Sequence, residues 1–307
     1  MKQAMIFAAG LGTRLKPLTD TMPKALVPVG GKPLLDIVID RLMVQGYQRF
    51  VVNVHHFAQQ IIEHVNASDY AYFVHFSDES DQLLETGGGL KKAAPLFADD
   101  SPVLIHNVDI LDNVDYQWFS RQHQADEDAV LLVSRHKTKR YLLFNNAMRL
   151  MGWTNIETGE IRSPFPWLRE AEIDIDENLR VTVRSSIHNS QLSILNSQSS
   201  ILNSQSSILN SQFPILNSQS SILNSQFSIL NSQFPPLYAF AFSGIHSFSP
   251  RLFPLMDRFP ERFPIMDFYL SICHRSSIYG CIKDNLRLMD VGKIDTLSEA
   301  EKFIQTL

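Results

Sequence analysis

Short apolar runs alternate with amphipathic segments through the first 135 residues of this 307-residue chain. The apolar runs predict strands buried on both faces, and the amphipathic segments predict helices that cover them. We expect strands at AMIFAA, FVVNV, YFVHF, PVLIHNVD and AVLLVSR, and helices at PLLDIVIDRLMVQG, AQQIIEHV and YQWFSRQHQA. The alternation predicts an α/β fold, with a Rossmann-like mixed, mostly parallel sheet and helices on both faces. Ligands of such sheets bind beyond the carboxyl ends of the strands.

The pattern changes after Arg135, where shorter strands are expected at YLLFN, MRLMGW and RVTVRSS. LYAFAFSGIHSFSP predicts a later strand, followed by two helices, the turn LRLMDVG and a last helix from about Asp295. Thr296 and Glu299 have the spacing of a capping box at the start of that helix. We interpret residues 1–307 as a single domain with one insertion.

The insertion is a repeat of the heptad NSQxxIL over residues 189–235. Asn and Ser are poor helix formers, and no charged residue flanks the apolar positions. The odd period would place successive Ile residues on opposite faces of a strand. We therefore favour a low-complexity, disordered or loosely structured insertion, while β-stacking and a helix remain open as alternatives.

The net charge of −5 and the pI of about 6.0 argue against nucleic acid or an anionic membrane as the main partner. The chain has two cysteines, Cys273 and Cys281, which do not have the spacing of a zinc or redox motif. The N-terminal apolar run is short for a signal peptide, and no run reaches the ~18 residues of a membrane helix. We expect a soluble, cytoplasmic protein.

The loop GLGTRLKPLTDTMPK follows the first predicted strand and combines glycines with Arg14 and Lys24. Glycine-rich loops at this place usually hold phosphate, because the backbone can approach the ligand closely. The dinucleotide fingerprint fails because Leu15 stands where its third glycine should be. The kinase-type phosphate loop also fails, because Pro33 follows Gly31 and Lys32.

The longer stretch AAGLGTRLKPLTDTMPKALVPVGGKPLL resembles the signature of the nucleotidylyltransferases that act on sugar 1-phosphates. LLETGGGL is similar to the glycine loop of the N-acetylmuramate 1-phosphate uridylyltransferase branch. VLIHNVD, FAFSGIHSFSP and LRLMDVGKIDTLSEAEKFI resemble later parts of the same family, in the same order. The resemblance implies the nucleotide-diphospho-sugar transferase type of fold.

The resemblance also implies site residues. For the nucleotide these are Ala8, Ala9, Gly10, Leu11, Gly12, Thr13, Arg14, Glu85, Gly87 and Gly88. Catalytic roles fall to Arg14 and Lys24, and substrate contacts to Lys24, Asn107 and Asp109. Asp109 and Asp290 are the implied ligands of Mg²⁺, which prefers carboxylate and phosphate oxygens. Gly87 and Gly88 are expected close to the nucleobase, where a side chain would clash.

Histidines near the strand ends are not assigned a catalytic role. His55 and His56 are interpreted as solvated or structural, and strand alternation does not decide whether His106 and Asn107 face the site or the core.

The implied reaction joins a nucleoside triphosphate to a sugar 1-phosphate and releases pyrophosphate, as in the synthesis of cell-wall or polysaccharide precursors. UTP with N-acetylmuramate 1-phosphate is the leading pair. A GTP-dependent mannose or heptose 1-phosphate guanylyltransferase is the alternative, and a non-catalytic nucleotide-sugar-binding regulator is an alternative of another class. The oligomeric state is left open.

Overall fold

A computed structural model describes residues 1–185 and 235–307. The predicted repeat at 189–235 lies outside these residues, apart from Pro235. The described chain divides into two compact units, Met1–Lys137 with Ala241–Leu307, and Thr138–Phe240. The organisation as one domain with an insertion stays a prediction.

The helices and strands of the first unit follow in chain order. The strands are β1 (Gln3–Phe7), β2 (Pro28–Val29), β3 (Lys32–Pro33), β4 (Arg49–Val54), β5 (Val74–Asp78), β6 (Val103–Asn107), β7 (Ile110–Asp112) and β8 (Ala129–Ser134), then, after the second unit, residues 241–248, β15 (Ile278–Ile282) and β16 (Leu288–Asp290). The helices are α1 (Leu34–Val44), α2 (Ala58–Asn66), α3 (Glu85–Ala93), α4 (Tyr116–Arg121), α6 (Phe253–Met256), α7 (Ile265–Ile272) and α8 (Leu297–Ile304).

The main sheet of this unit has the order β5–β4–β1–β6–residues 241–248–β8–β15. The four strands from β5 to β6 pair in parallel, and β15 pairs in parallel with β8. Residues 241–248 are antiparallel to both of their neighbours. The expected mixed, mostly parallel sheet with helices is confirmed for this unit. The inner strands β1, β4, β6 and β8 are buried along almost their whole length, whereas the outer strands β5 and β15 are partly exposed.

The second unit contains β9 (Arg140–Asn145), β10 (Leu150–Asn155), β11 (Glu160–Arg162), α5 (Pro166–Arg169), β12 (Ala171–Ile175) and β13 (Arg180–Ser185), followed by residues 237–240. All of its strand pairs are antiparallel. Residues 237–248 form one continuous strand, β14, that belongs to both units.

Two further observations bear on the sequence predictions. The capping box at Thr296 is wrong: a 3₁₀ turn precedes α8, Thr296 already has helical dihedrals, and its hydroxyl donates to the carbonyl of Lys293 at 2.7 Å. Among the described residues, no helix is long and apolar enough to cross a membrane.

Candidate active site

A cavity of about 590 Å³ lies at the carboxyl ends of β1, β4 and β6 in the first unit. The predicted site residues that line it are Ala8, Ala9, Gly10, Leu11, Gly12, Thr13, Arg14, Lys24, Glu85, Asn107 and Asp109. Six lining residues were not predicted, namely Phe7, Asn53, Leu83, Thr86, Val108 and Gly292. The cavity thus lies beyond the carboxyl ends of the parallel strands, where sheets of this kind bind ligands.

The first loop (residues 8–14) bends at Gly12, which has a φ of +63°. The Gly12 carbonyl accepts hydrogen bonds from the Leu15 amide and from the Thr19 hydroxyl, each at 2.8 Å. A Cβ at Gly12 would come within 2.8 Å of the Thr19 methyl group. Gly10, in contrast, has no atom within 4 Å of the place of a Cβ, so this part of the loop borders open space.

Lys24 and Asp109 form an ion pair on one wall of the cavity. Lys24 is only 7% exposed, so its ammonium is largely withdrawn from water. The backbone around Asp109 is fixed on both sides: the Val108 amide donates to the carbonyl of Phe7 at 3.1 Å, and the Val291 amide donates to the carbonyl of Asp109 at 2.8 Å. The cation and the carboxylate are therefore held at defined positions.

A second cation and carboxylate lie beside this pair. The strands β7 and β16 are antiparallel, with Asp290 opposite Ile110, so Asp290 comes next to Asp109 in the ladder. The Asp290 carboxylate is 3.7 Å from the Arg14 guanidinium, and both side chains are about half exposed. A Cβ at Gly292 would come within 2.7 Å of both groups. The ladder thus places Asp290 next to Asp109, and ion pairs join the first aspartate to Arg14 and the second to Lys24.

The predicted loop around LETGGG begins the helix α3. Glu85, its first residue, has a φ of +62°, which is a strained conformation for a residue other than glycine. Glu85 and Thr86 line the cavity, and the Arg262 guanidinium forms an ion pair with the Glu85 carboxylate, in which its Nε donates a hydrogen bond of 3.0 Å. Strain of this kind is concentrated at functional sites in proteins.

Gly87 and Gly88 are not among the residues that line the cavity, and their place near the nucleobase stays a prediction. A Cβ at Gly87 would overlap the ring of Phe263, and one at Gly88 would overlap the carbonyl of Glu261. Both glycine amides donate to the Phe263 carbonyl, at 2.8 and 3.1 Å. These glycines let a neighbouring segment approach the helix closely.

The ambiguous pair at the end of β6 is resolved. Asn107 lines the cavity, whereas His106 is 1% exposed and is not among the lining residues. The His106 ring is 3.1 Å from a carboxylate oxygen of Asp112 and 2.7 Å from the carbonyl of Asn107. Burial by itself raises the pKa of Asp112, but hydrogen bonding from His106 and the nearby positive charges outweigh it and hold that pKa below its usual value.

Asn53 is a site residue that the sequence analysis missed. Its side-chain oxygen accepts from the Ala8 amide at 2.8 Å, and its side-chain nitrogen donates to Glu79 at 2.7 Å. The available signal was a polar residue within the buried run FVVNV. His55, interpreted as structural or solvated, contacts the carbonyl of Glu79 through its ring nitrogen at 2.6 Å.

Comparisons with known proteins show what this chain is similar to. Residues 3–141 match the family described as Nucleotidyl transferase. An N-acetylmuramate alpha-1-phosphate uridylyltransferase of Caulobacter vibrioides is 48% identical over 111 residues, which cover 35% of this chain and 46% of that protein. A mannose-1-phosphate guanyltransferase of Emericella nidulans is 31% identical over 144 residues, 45% of this chain and 39% of that protein. The chain therefore spans less than half the length of these two curated relatives.

A solved structure matches over a greater length. HddC from Yersinia pseudotuberculosis, complexed with GMP-PN, covers 99% of this chain and 100% of its own, with a TM-score of 0.55 and 19% identity. At this identity the likeness shows the fold alone. The resemblance expected from the sequence is confirmed by the match of residues 3–141 to the Nucleotidyl transferase family.

Proposed function

We propose that this protein transfers a nucleotidyl group from a nucleoside triphosphate to a sugar 1-phosphate. An oxygen of the sugar phosphate attacks the α-phosphorus, a new P–O bond forms, and the bond to the leaving pyrophosphate breaks. Both substrates are anions, so catalysis of this reaction depends on positioning and on neutralising charge. The observation that supports the proposal is the convergence of Arg14, Lys24, Asp109 and Asp290 beside an open glycine loop.

Arg14 and Lys24 are proposed to act on the phosphates. The guanidinium of Arg14 has a forked set of donors that suits two oxygens of the departing pyrophosphate, and it is exposed enough to exchange Asp290 for that ligand. Lys24 supplies a compact positive charge near the reacting phosphates. The open backbone around Gly10 leaves room for phosphate close to the loop amides.

We propose Mg²⁺ as the cofactor. The donor set fits, because Asp109 and Asp290 offer hard carboxylate oxygens on neighbouring positions of one ladder. Among the described residues, no group of three or more His, Cys, Asp or Glu side chains could hold a metal. Two carboxylates suit a Mg²⁺ ion that keeps several waters and takes substrate phosphates as its other ligands. When bound, the ion would neutralise phosphate charge.

UTP with N-acetylmuramate 1-phosphate is the proposed substrate pair. It is supported by the 48% identity of the uridylyltransferase, compared with 31% for the guanyltransferase, and by the LETGGG motif. GTP with mannose or heptose 1-phosphate is the second candidate, supported by the guanyltransferase and by the GMP-PN complex of HddC. The product would be a precursor of cell wall or polysaccharide, and we propose the cytoplasm as its site, where both cysteines can stay reduced.

A panel of four nucleoside triphosphates against several sugar 1-phosphates tests the proposal, with pyrophosphate release as the readout in the presence of Mg²⁺. We expect release only when both substrates are present, with UTP preferred. Turnover with GTP alone would overturn the uridylyl assignment. If the folded protein binds nucleotide sugars but releases no pyrophosphate with any pair, it is a binding protein and the enzyme proposal is wrong.

A further inference from the structure

A buried polar pair connects the two segments that form one side of the cavity. Asn53 lies at the carboxyl half of β4 and is 2% exposed, and Glu79 follows β5 and is completely buried. A nitrogen of Asn53 donates to one carboxylate oxygen of Glu79 at 2.7 Å. Burial of a carboxylate is costly unless it is hydrogen-bonded, so this residue needs a specific reason to be there.

Each member of the pair also holds a backbone amide beside the cavity. The Asn53 oxygen accepts from the amide of Ala8 at 2.8 Å, where the first loop begins. The second carboxylate oxygen of Glu79 accepts from the amide of Leu84 at 3.0 Å, directly before α3. Ala8 and Leu84 are 76 positions apart in sequence, yet two side chains join them. Asn53 itself also lines the cavity.

The donor and acceptor pattern explains why a carboxylate is required. Because the Asn53 oxygen faces the Ala8 amide, its NH₂ group must face Glu79, and the Leu84 amide faces Glu79 from the other side. Both side-chain atoms at the end of residue 79 must therefore be hydrogen-bond acceptors, as the two oxygens of a carboxylate are. A glutamine there has one acceptor and one donor, so one of its two contacts would place two donors against each other.

Gly89 of α3 packs on the same pair. A Cβ at Gly89 would lie 2.6 Å from a carboxylate oxygen of Glu79 and 3.2 Å from the nitrogen of Asn53. The helix thus leaves room for the hydrogen bond between these side chains.

We propose that Asn53 and Glu79 are positioning residues that hold the first loop and the start of α3 in a fixed position relative to each other, and so set the affinity for the nucleoside triphosphate. The inference rests on the proposed function, in which both segments contact the nucleotide. Neither residue is assigned a chemical step. The pair acts on the nucleotide side only, so the sugar 1-phosphate should be unaffected by its loss.

Three variants of the full chain test the inference: Asn53→Ala, Glu79→Gln and their combination. Binding of UTP and GTP is measured by calorimetry without the sugar substrate, and KM for each substrate is measured in the pyrophosphate assay. We expect the nucleotide Kd and KM to rise on the order of 10-fold, while KM for the sugar 1-phosphate changes less than about 2-fold. We expect the double variant to bind nucleotide about as weakly as the single variant with the larger loss, since the effects of substitutions within one hydrogen-bond network are not additive.

Gln3→Leu is the matched control. Gln3 lies at the opposite end of β1, is fully buried, and its side chain bonds the backbone of Ala98, Asp99 and Ser101. Its loss should lower the melting temperature with nucleotide affinity unchanged. Gly89→Ala also perturbs the pair but removes no polar group. It replaces Glu79→Gln in the binding measurements if that variant does not fold. We expect it to weaken nucleotide binding as well.

The outcomes separate the inference from the proposed function. If the melting temperature of the Asn53 and Glu79 variants falls like that of Gln3→Leu, but their affinity for nucleotide equals that of the parent protein, the positioning role is wrong. Fully additive losses in the double variant would also overturn it. Absence of pyrophosphate release by the parent protein would overturn the proposed reaction, whereas calorimetry with nucleotide alone would still decide the positioning role.

Discussion

Two glycine-rich segments contribute to the first unit, and their glycines serve opposite purposes. In the first loop, Gly10 borders the open cavity and has no atom within 4 Å of a would-be Cβ. In α3, Gly87 and Gly88 lie against residues 261–263 and their amides bond the carbonyl of Phe263. One segment keeps space for a ligand, and the other fills its space with protein. Both look alike in the sequence, so only the packing distinguishes them.

The largest effect on activity is expected at the aspartates beside the first loop. Asp109→Asn and Asp290→Asn each remove a charged oxygen ligand, and we expect turnover to fall on the order of 100-fold, about 2.7 kcal/mol in the barrier. The measurement is pyrophosphate release across a Mg²⁺ titration. Asp290→Asn is the easier variant to interpret, because Asp290 is half exposed. The Asp109→Asn variant also leaves the buried Lys24 without its ion-pair partner.

Asn285→Asp is a control for a change of charge near β16, because its side chain lies in an exposed contact with Lys283. We expect its turnover to stay within about 2-fold of the parent protein. Near-native turnover of either Asp109→Asn or Asp290→Asn at low Mg²⁺ would contradict the assignment of that aspartate as a ligand.

The contrast between the glycines is tested by placing the same methyl group in each segment. Gly88→Ala would overlap the Glu261 carbonyl, which is backbone and cannot rotate away. Overpacking of this kind costs about 1–3 kcal/mol, so we expect the melting temperature to fall on the order of 5 °C. In Gly10→Ala the methyl enters open space, and we expect stability within about 0.5 kcal/mol but a several-fold higher nucleotide KM.

Thermal unfolding and nucleotide KM are measured on both variants. The comparison fails if Gly10→Ala is the less stable variant, or if Gly88→Ala unfolds like the parent protein and weakens only nucleotide binding. The second result would support the prediction that Gly88 lies against the nucleobase.

The carboxyl ends of the central strands could be predicted from the sequence. The apolar runs before Gly10, His55 and Asp109 mark these ends locally, so no knowledge of the tertiary packing is needed. It could not assign Gly87 and Gly88, because the segment that packs on them lies about 175 residues later in the chain. It also missed β12, whose alternating acids in AEIDI obscure the strand, and β15, which contains Gly280. Glu79 was missed for a similar reason, since a polar residue after a strand looks solvated until its partners are known.

A smaller effect is expected at Glu85, the residue of α3 that does reach the cavity. Its φ of +62° costs about 1 kcal/mol in a residue other than glycine, so Glu85→Gly should relieve strain. The change also removes a partly exposed ion pair with Arg262, which contributes at most about 1 kcal/mol. We expect stability to change by less than about 1 kcal/mol while nucleotide KM rises a few-fold.

Arg262→Met separates the two contributions, because it removes the ion pair and keeps the Glu85 carboxylate. Nucleotide KM and chemical unfolding are measured for both variants. If Arg262→Met raises nucleotide KM as much as Glu85→Gly does, the carboxylate acts only through its arginine partner and has no place of its own in the cavity.

The smallest effect is expected when residues 189–233 are excised, which asks whether the first unit's cavity depends on the NSQxxIL segment at all. The flanking strands already pair, with Val181 opposite Leu237 in an antiparallel ladder. Shortening the connection from about 55 to about 10 residues lowers the entropy cost of loop closure by roughly 1.5 kcal/mol on the (3/2)RT ln n relation. All predicted site residues remain.

We therefore expect the excised protein to keep its kcat and both KM values within about 2-fold and to unfold at the same or a slightly higher temperature. Pyrophosphate release and thermal unfolding are compared in the full-length and excised proteins. The alternative is that the Ile, Leu and Phe side chains of the repeat cover the sugar substrate. A clear rise in KM for the sugar 1-phosphate, with nucleotide KM unchanged, would support that covering role and would contradict a passive insertion. A lower melting temperature would instead show that the repeat packs on the rest of the protein.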